Sequence, residues 1–66
     1  MDSIKIGKML TLLRGEQSLR EVANTLGLSP AAIRQYECGN RIPRDDIKEN
    51  IAKFYDKTVQ EIFYSE

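Results

Sequence analysis

The run Ser18–Arg44, SLREVANTLGLSPAAIRQYECGNRIPR, limits what this chain can become more than any other stretch. Ser18 with Glu21 three residues on is the capping-box pattern of a helix start. Leu19, Val22, Ala23 and Leu26 then recur at helical spacing and make one apolar face. Ala23 is small, which lets a second helix cross closely over it. Gly27 marks the position that needs a positive φ, a conformation only glycine adopts cheaply. Leu28 plugs the turn into the core. Ser29 caps the next helix, and Pro30 occupies its first turn, where a missing N–H costs nothing. Ile33 and Tyr36 sit three apart and face inward, leaving Ala31, Arg34, Gln35 and Cys38 outward until Gly39 stops the helix. Two short helices joined by so tight a turn form a helix-turn-helix unit, with axes crossing at roughly 90–120°.

The flanking segments read as scaffold. Ser3 is expected to cap a first helix, with Asp2 at its positive end. Ile6, Met9, Leu10 and Leu13 supply its buried stripe, while Lys5, Lys8 and Thr11 face water. Gly15 ends it, and Glu16-Gln17 form the connection. After the central unit, Asn40-Arg41-Ile42-Pro43 is a loop with Ile42 tucked inward. A fourth helix runs from Arg44 or Asp45 to Tyr55, with Asp45 and Asp46 suited to its N-terminus and Ile47, Ile51, Ala52, Phe54 and Tyr55 on its apolar face. Asp56-Lys57 turn the chain, and Thr58 caps a short fifth helix that packs Val59, Ile62 and Phe63 back on the core. The expectation is an all-α chain, a compact five-helix bundle forming one domain over residues 1–66, with the helix-turn-helix at about 18–38.

A chain of 66 residues buries only about 60% of the surface its unfolded form exposes, so little stability is to spare. Cys38 is the one cysteine and histidine is absent, which removes an intrachain disulfide and a Cys/His zinc cluster as aids. Helix packing or a partner subunit is left to do that work. A lone thiol, with no leader pattern and no apolar run near the roughly 20 residues that span a bilayer, points to a reducing cytoplasm and away from membranes.

Formal net charge is zero, yet the charges are unevenly placed. Residues 1–44 carry seven basic and four acidic side chains, a balance of +3, and residues 45–66 carry three basic and six acidic, a balance of −3. The basic part contains the helical pair, an asymmetry of the kind nucleic-acid faces show.

LREVANTLGLSP, IRQYECGN and the closing TVQEIF together resemble the Cro/C1-type helix-turn-helix domains, the phage-repressor-like Xre family. The resemblance covers about residues 4–63. It implies a lambda-repressor-like five-helix domain that binds double-stranded DNA with its third helix in the major groove. Carried onto this sequence, base-edge contacts fall on Pro30, Ala31, Arg34 and Gln35. Arginine can clamp guanine and glutamine can pair with adenine, each contact being worth about 1–3 kcal/mol of discrimination. Relatives often carry polar residues where this chain has Pro30 and Ala31, which leaves an apolar contact to a thymine methyl. Leu19 likewise stands where a glutamine is common. Phosphate contacts fall on Ser18, Ser29, Asn40 and Arg41, with Arg44 reaching the backbone or the adjacent minor groove. Tyr36 belongs to the core, with a hydroxyl within possible reach of a phosphate. The family pairs the glutamate at Glu37 with an arginine ending the first helix, here Arg14, which implies a structural salt bridge.

Enzymatic chemistry has no support. There is no histidine, glycine-rich phosphate loop or nucleophile–base set, and neither a metal site, a cofactor nor a small-molecule pocket is indicated. Asp45 and Asp46 read as helix-end charges, and Cys38 as an ordinary helix residue near the DNA. The expected function is a sequence-specific transcriptional regulator of bacterial or phage origin, a repressor or Cro-like switch binding a palindromic operator as a homodimer. Phe54, Tyr55, Phe63 and Tyr64 are the expected dimer surface, because they offer more aromatic area than a small core needs. The alternatives are a helix-turn-helix fold used as a protein-binding adaptor or antirepressor, and an antitoxin or controller subunit of a larger assembly.

Overall fold

Each of the five apolar periodicities folds as a helix in a computed structural model that describes residues 2–64. The elements are α1 (Ser3–Arg14), α2 (Leu19–Leu26), α3 (Pro30–Glu37), α4 (Asp45–Phe54) and α5 (Val59–Phe63). No strand forms among the described residues.

Capping side chains set most of the helix starts. Ser18 Oγ accepts from Glu21 N at 3.0 Å and Ser29 Oγ from Ala32 N at 3.1 Å, satisfying donors the helices themselves leave open. At Ser18 only this half of the capping box is formed. The reciprocal box appears instead at α5, where Thr58 N donates to Glu61 Oε1 and Glu61 N to Thr58 Oγ1. At α1 the cap is Asp2, not Ser3: its carboxylate accepts from Ile4 N and Lys5 N, both at 3.1 Å. Two acceptors stood side by side in sequence, and the carboxylate is the stronger partner for a helix N-terminus.

The core forms where these helices meet. Ile6 and Leu10 from α1, Tyr36 from α3, Ile51 and Ala52 from α4, and Ile62 and Phe63 from α5 are buried together. Val22, Ala23 and Ile33 make a second cluster where α2 crosses α3, bridged to the first by Leu26 and Leu28. Ala23 is fully buried, as close crossing requires. One internal space of about 10 Å³ is bounded by Leu10, Val22, Leu26, Ile33, Tyr36, Glu37, Ile51 and Tyr55. That is about the room of a single water, so the helices pack closely around it.

A further departure from the sequence reading lies in the loop before α4, and one feature of α4 itself goes beyond that reading. Ile42 is exposed and the neighbouring Pro43 is buried, so proline is the loop residue that turns inward. A loop has no period to announce which side chain turns in. Lys48, a charged residue on α4, is buried at 6% exposure. Its ammonium donates to the Tyr64 hydroxyl at 3.1 Å, lies 5.1 Å from the Tyr64 ring centroid and 5.8 Å from that of Phe63, and approaches Asp45 Oδ1 at 3.5 Å. The aromatic end of α5 thus closes over a lysine of α4.

Candidate nucleic-acid interface

The turn between α2 and α3 is built by two backbone features. Gly27 has φ +69° and ψ +30°, in the left-handed region, and Leu28 N returns to the Ala23 carbonyl at 2.8 Å. Chain direction changes within a few residues, and Ser29 starts the next helix at once.

On α3, Pro30, Ala31, Arg34 and Gln35 are all exposed, while Ile33 and Tyr36 are buried. Positions 30, 31, 34 and 35 lie a turn apart in two columns, so they share one face. Tyr36, at 6% exposure, is committed to the core. Cys38 caps the C-terminal end and is exposed as a free thiol. Leu19, at the start of α2, is partly buried against the Val22–Ala23–Ile33 cluster, so it packs rather than projects.

Beyond α3 the loop is tied back to the helix. Asn40 N and Arg41 N both donate to the Gln35 carbonyl, at 3.0 and 3.3 Å. Gly39 makes this possible with φ +78°, and a Cβ there would sit 3.0 Å from Ile4 Cα. Asn40 and Arg41 are exposed, and their backbone is fixed relative to the outward face of α3. Ser18 and Ser29 are also exposed. Each uses its oxygen as an acceptor for the cap and retains a hydroxyl proton to donate outward. Arg44 is exposed at the N-cap of α4, but its guanidinium is 3.9 Å from Asp46, an exposed and weak pairing that partly offsets its charge.

Glu37, the acid on α3, is turned to the scaffold. Arg14 Nε donates to Glu37 Oε2 at 2.8 Å and Arg14 Nη2 to Glu37 Oε1 at 3.1 Å, a two-point clamp. Arg14 Nη1 also donates to the Gln17 carbonyl at 2.8 Å, so one guanidinium holds α1, the connection to α2 and the end of α3. The hydrogen bonds that Arg14 donates to Glu37 push the Arg14 pKa up, against an opposing effect of burial. Tyr55 stands near the same pair. Burial pushes its phenol up, Glu37 adds to this, and Arg14 opposes it.

The four aromatics expected at a surface divide otherwise. Phe63 is buried at 3% exposure and offers no surface. Phe54 and Tyr55 are partly buried and pack edge to face with centroids 4.9 Å apart. Tyr64 alone of the four is exposed, at 45%. The core uses the aromatic area that composition made look surplus, because a bundle of such short helices has few other large side chains.

Gly7 is a positioning residue that sequence reasoning passed over. It is buried where α1 crosses the end of α3, and a Cβ on it would overlap the Glu37 carbonyl oxygen and stand 2.9 Å from that of Tyr36. The one signal was a glycine inside an otherwise regular helix. Among the described residues no group of three or more His, Cys, Asp or Glu could hold a metal, and no helix is long and apolar enough to cross a membrane. An open groove of about 390 Å³ lies between α2 and α4, lined by Thr25, Leu26, Asn50, Lys53 and Phe54.

A helix-turn-helix family model, of the Cro/C1 type, matches residues 12–62. No curated protein and no solved structure gives a significant match.

Proposed function

Because the chain belongs to the Cro/C1-type helix-turn-helix family and is a DNA-binding regulator of that kind, we propose that it reads a specific operator as a homodimer and represses transcription there. The observation that carries this reading is the division of α3. Its basic and amide side chains, Arg34 and Gln35, are exposed on one face, whereas its acid, Glu37, is withdrawn and neutralised by Arg14. A helix so divided offers donors to base edges without an acid to repel the phosphates.

In this reading Pro30, Ala31, Arg34 and Gln35 meet base edges. Ser18, Ser29, Asn40 and Arg41 hold phosphates, and Arg44 reaches the backbone or minor groove beyond. The described residues extend 28 × 22 × 21 Å. Successive major-groove faces on one side of a duplex are about 34–36 Å apart, so a palindromic operator calls for two copies. Tyr64, the exposed aromatic at the end of α5, is the proposed centre of the contact between them. The protein acts without enzymatic chemistry, as a repressor or Cro-like switch of bacterial or phage origin that meets DNA in the cytoplasm.

Selection from a pool of randomised duplexes tests this directly, run in parallel with Arg34→Ala/Gln35→Ala. An inverted repeat enriched by the native chain and lost in the variant is the expected result. Weak, salt-sensitive binding with no enrichment would instead favour a protein-binding adaptor, a reading to which the exposed apolar Pro30-Ala31 pair lends some weight.

A further inference from the structure

The outward face of α3 is half apolar. Pro30 and Ala31 form its first row and Arg34 and Gln35 its second, one turn on, and all four are exposed. The side chains of Pro30 and Ala31 hold no hydrogen-bond donor or acceptor, and proline lacks even a backbone N–H. Ser29 does not stand in for them along that row, since its oxygen accepts from Ala32 N at 3.1 Å and its remaining proton is the one assigned to a phosphate. At the base step beneath that first row, the two side chains therefore present no hydrogen-bonding group with which to distinguish one base pair from another.

A major-groove edge has one apolar feature, the methyl on C5 of thymine. The same methyl is present on 5-methylcytosine and is missing from uracil and cytosine. We propose that the Pro30–Ala31 row makes this protein a reader of the pyrimidine 5-methyl group, so that at one position of each half-site binding follows the methyl and not the base pair. This rests on the DNA-binding reading above and adds the chemistry of one of its contacts. The base pair next to it is read by Arg34 and Gln35 through hydrogen bonds, which makes the two rows independent in kind. Methylation of cytosine at the first-row position would then strengthen binding about four-fold over unmodified cytosine.

The consequence is an unusual order of affinities. For ordinary hydrogen-bond readout, thymine and uracil bind alike, as do cytosine and 5-methylcytosine, because each pair shares its donors and acceptors. For methyl readout, thymine matches 5-methylcytosine and uracil matches cytosine. The difference is about four-fold per methyl, the worth of one buried CH₂ group.

The test takes the duplex enriched by the full chain and places thymine, uracil, cytosine and 5-methylcytosine, each with its proper complement, at every pyrimidine position of one half-site in turn. The expected result is one position at which the two methylated bases bind about four-fold more tightly than the two unmethylated ones. In Pro30→Ser and Ala31→Ser, which keep residues compatible with a helix start, this ratio falls to about one there while discrimination at the positions read by Arg34 and Gln35 persists. Affinities that follow the base pair at every position would overturn the proposal, as would a methyl preference that survives both substitutions. Failure of the initial selection to enrich any duplex is a different result, and removes the DNA-binding reading itself.

Discussion

Gly7 of α1 lies against the main-chain carbonyls of Tyr36 and Glu37, so close that a methyl group in place of its hydrogen would overlap the Glu37 oxygen. The obstacle is backbone rather than a side chain that could swing aside. Gly7→Ala gains about 1 kcal/mol in helix propensity, but the overlap costs about 3 kcal/mol, the upper part of the range for forced overpacking. A net loss of about 2 kcal/mol is expected, which lowers the melting temperature of a domain this small by roughly 8–16 °C. Thermal unfolding measured beside the exposed control Lys8→Ala decides it, and a Gly7→Ala protein as stable as that control would refute the close crossing.

The Arg14–Glu37 pair joins the same two helices by charge. Their side chains are 20% and 9% exposed, so the pair stands between the surface case, worth under about 1 kcal/mol, and the fully buried one, where removing a partner costs about 3–5 kcal/mol. Glu37→Gln keeps the shape and one acceptor but leaves the guanidinium half-satisfied. A loss of about 2 kcal/mol is expected on that footing. Affinity for the selected duplex, measured well below the melting transition, should change little because Glu37 faces away from the exposed side of α3. A large loss of affinity with unchanged melting would mean that the glutamate acts on DNA and not on the scaffold.

How legible these features were depends on how local their causes are. The caps at Ser18, Ser29 and Thr58, the turn at Gly27 and the inward pair Ile33–Tyr36 follow rules that operate within one helical turn, and the sequence shows them. Arg14 and Glu37 are 23 residues apart, and only the family resemblance suggested that they meet. Gly7 was invisible as a crossing point because a mid-helix glycine carries no mark of which neighbour comes close. The burial of Lys48 is hidden for a related reason: a period of apolar residues counts lysine as an outward position, while its burial depends on an aromatic partner beyond α4. The outward face of α3 was readable, since it is whatever the inward pair leaves free. Of the four aromatics expected at a surface, Phe63 is buried and Tyr64 exposed, a division that composition cannot show because it does not say how much of a core five short helices need.

Lys48 and Tyr64 should behave as a unit. The Tyr64 hydroxyl raises the Lys48 pKa and is the principal partner of an ammonium whose side chain is 7% exposed, while Asp45, the second partner, is 97% exposed. Tyr64→Phe keeps the ring and removes only that hydroxyl, at an expected cost of about 1–2 kcal/mol for a poorly satisfied charge. Lys48→Met removes the charge along with its need for a partner and should be neutral or slightly stabilising. In the Lys48→Met background Tyr64→Phe should then cost almost nothing. Urea denaturation of the four proteins reads the cycle, and simple additivity of the two changes would break the link.

Acid should loosen α5 through Glu61. The backbone N–H of Thr58, followed by its hydroxyl, holds the Glu61 carboxyl below its ordinary value of 4.5, with Lys57 adding to the effect. A depressed folded-state pKa stabilises above the unfolded value, so the contribution is complete above about pH 4.5 and is lost as pH falls through the folded value beneath it. Glu61→Gln can still accept from Thr58 N but does not titrate. Melting temperature followed from pH 6 downward should therefore decline less steeply in this variant than in the native chain below about pH 4.5, and parallel curves would remove Glu61 from the acid response.

Arg41 and Arg44 are both exposed loop-side cations, yet their surroundings predict unequal roles on DNA. Arg41 is tethered through its backbone to the Gln35 carbonyl at 3.3 Å, which fixes it beside the exposed face of α3. Arg44 has Asp46 at 3.9 Å and Asp45 next in sequence, so bringing it to a phosphate brings two carboxylates along. Neutralising one phosphate contact lowers the slope of log affinity against log salt by about 1 in magnitude. Arg41→Ala should show that full decrease and weaken every duplex alike, since a phosphate contact carries no sequence information. Arg44→Ala should show a clearly smaller one. Equal slopes for the two variants would mean that the aspartates do not offset Arg44, and a change in sequence preference on losing Arg41 would move that residue from the backbone to a base.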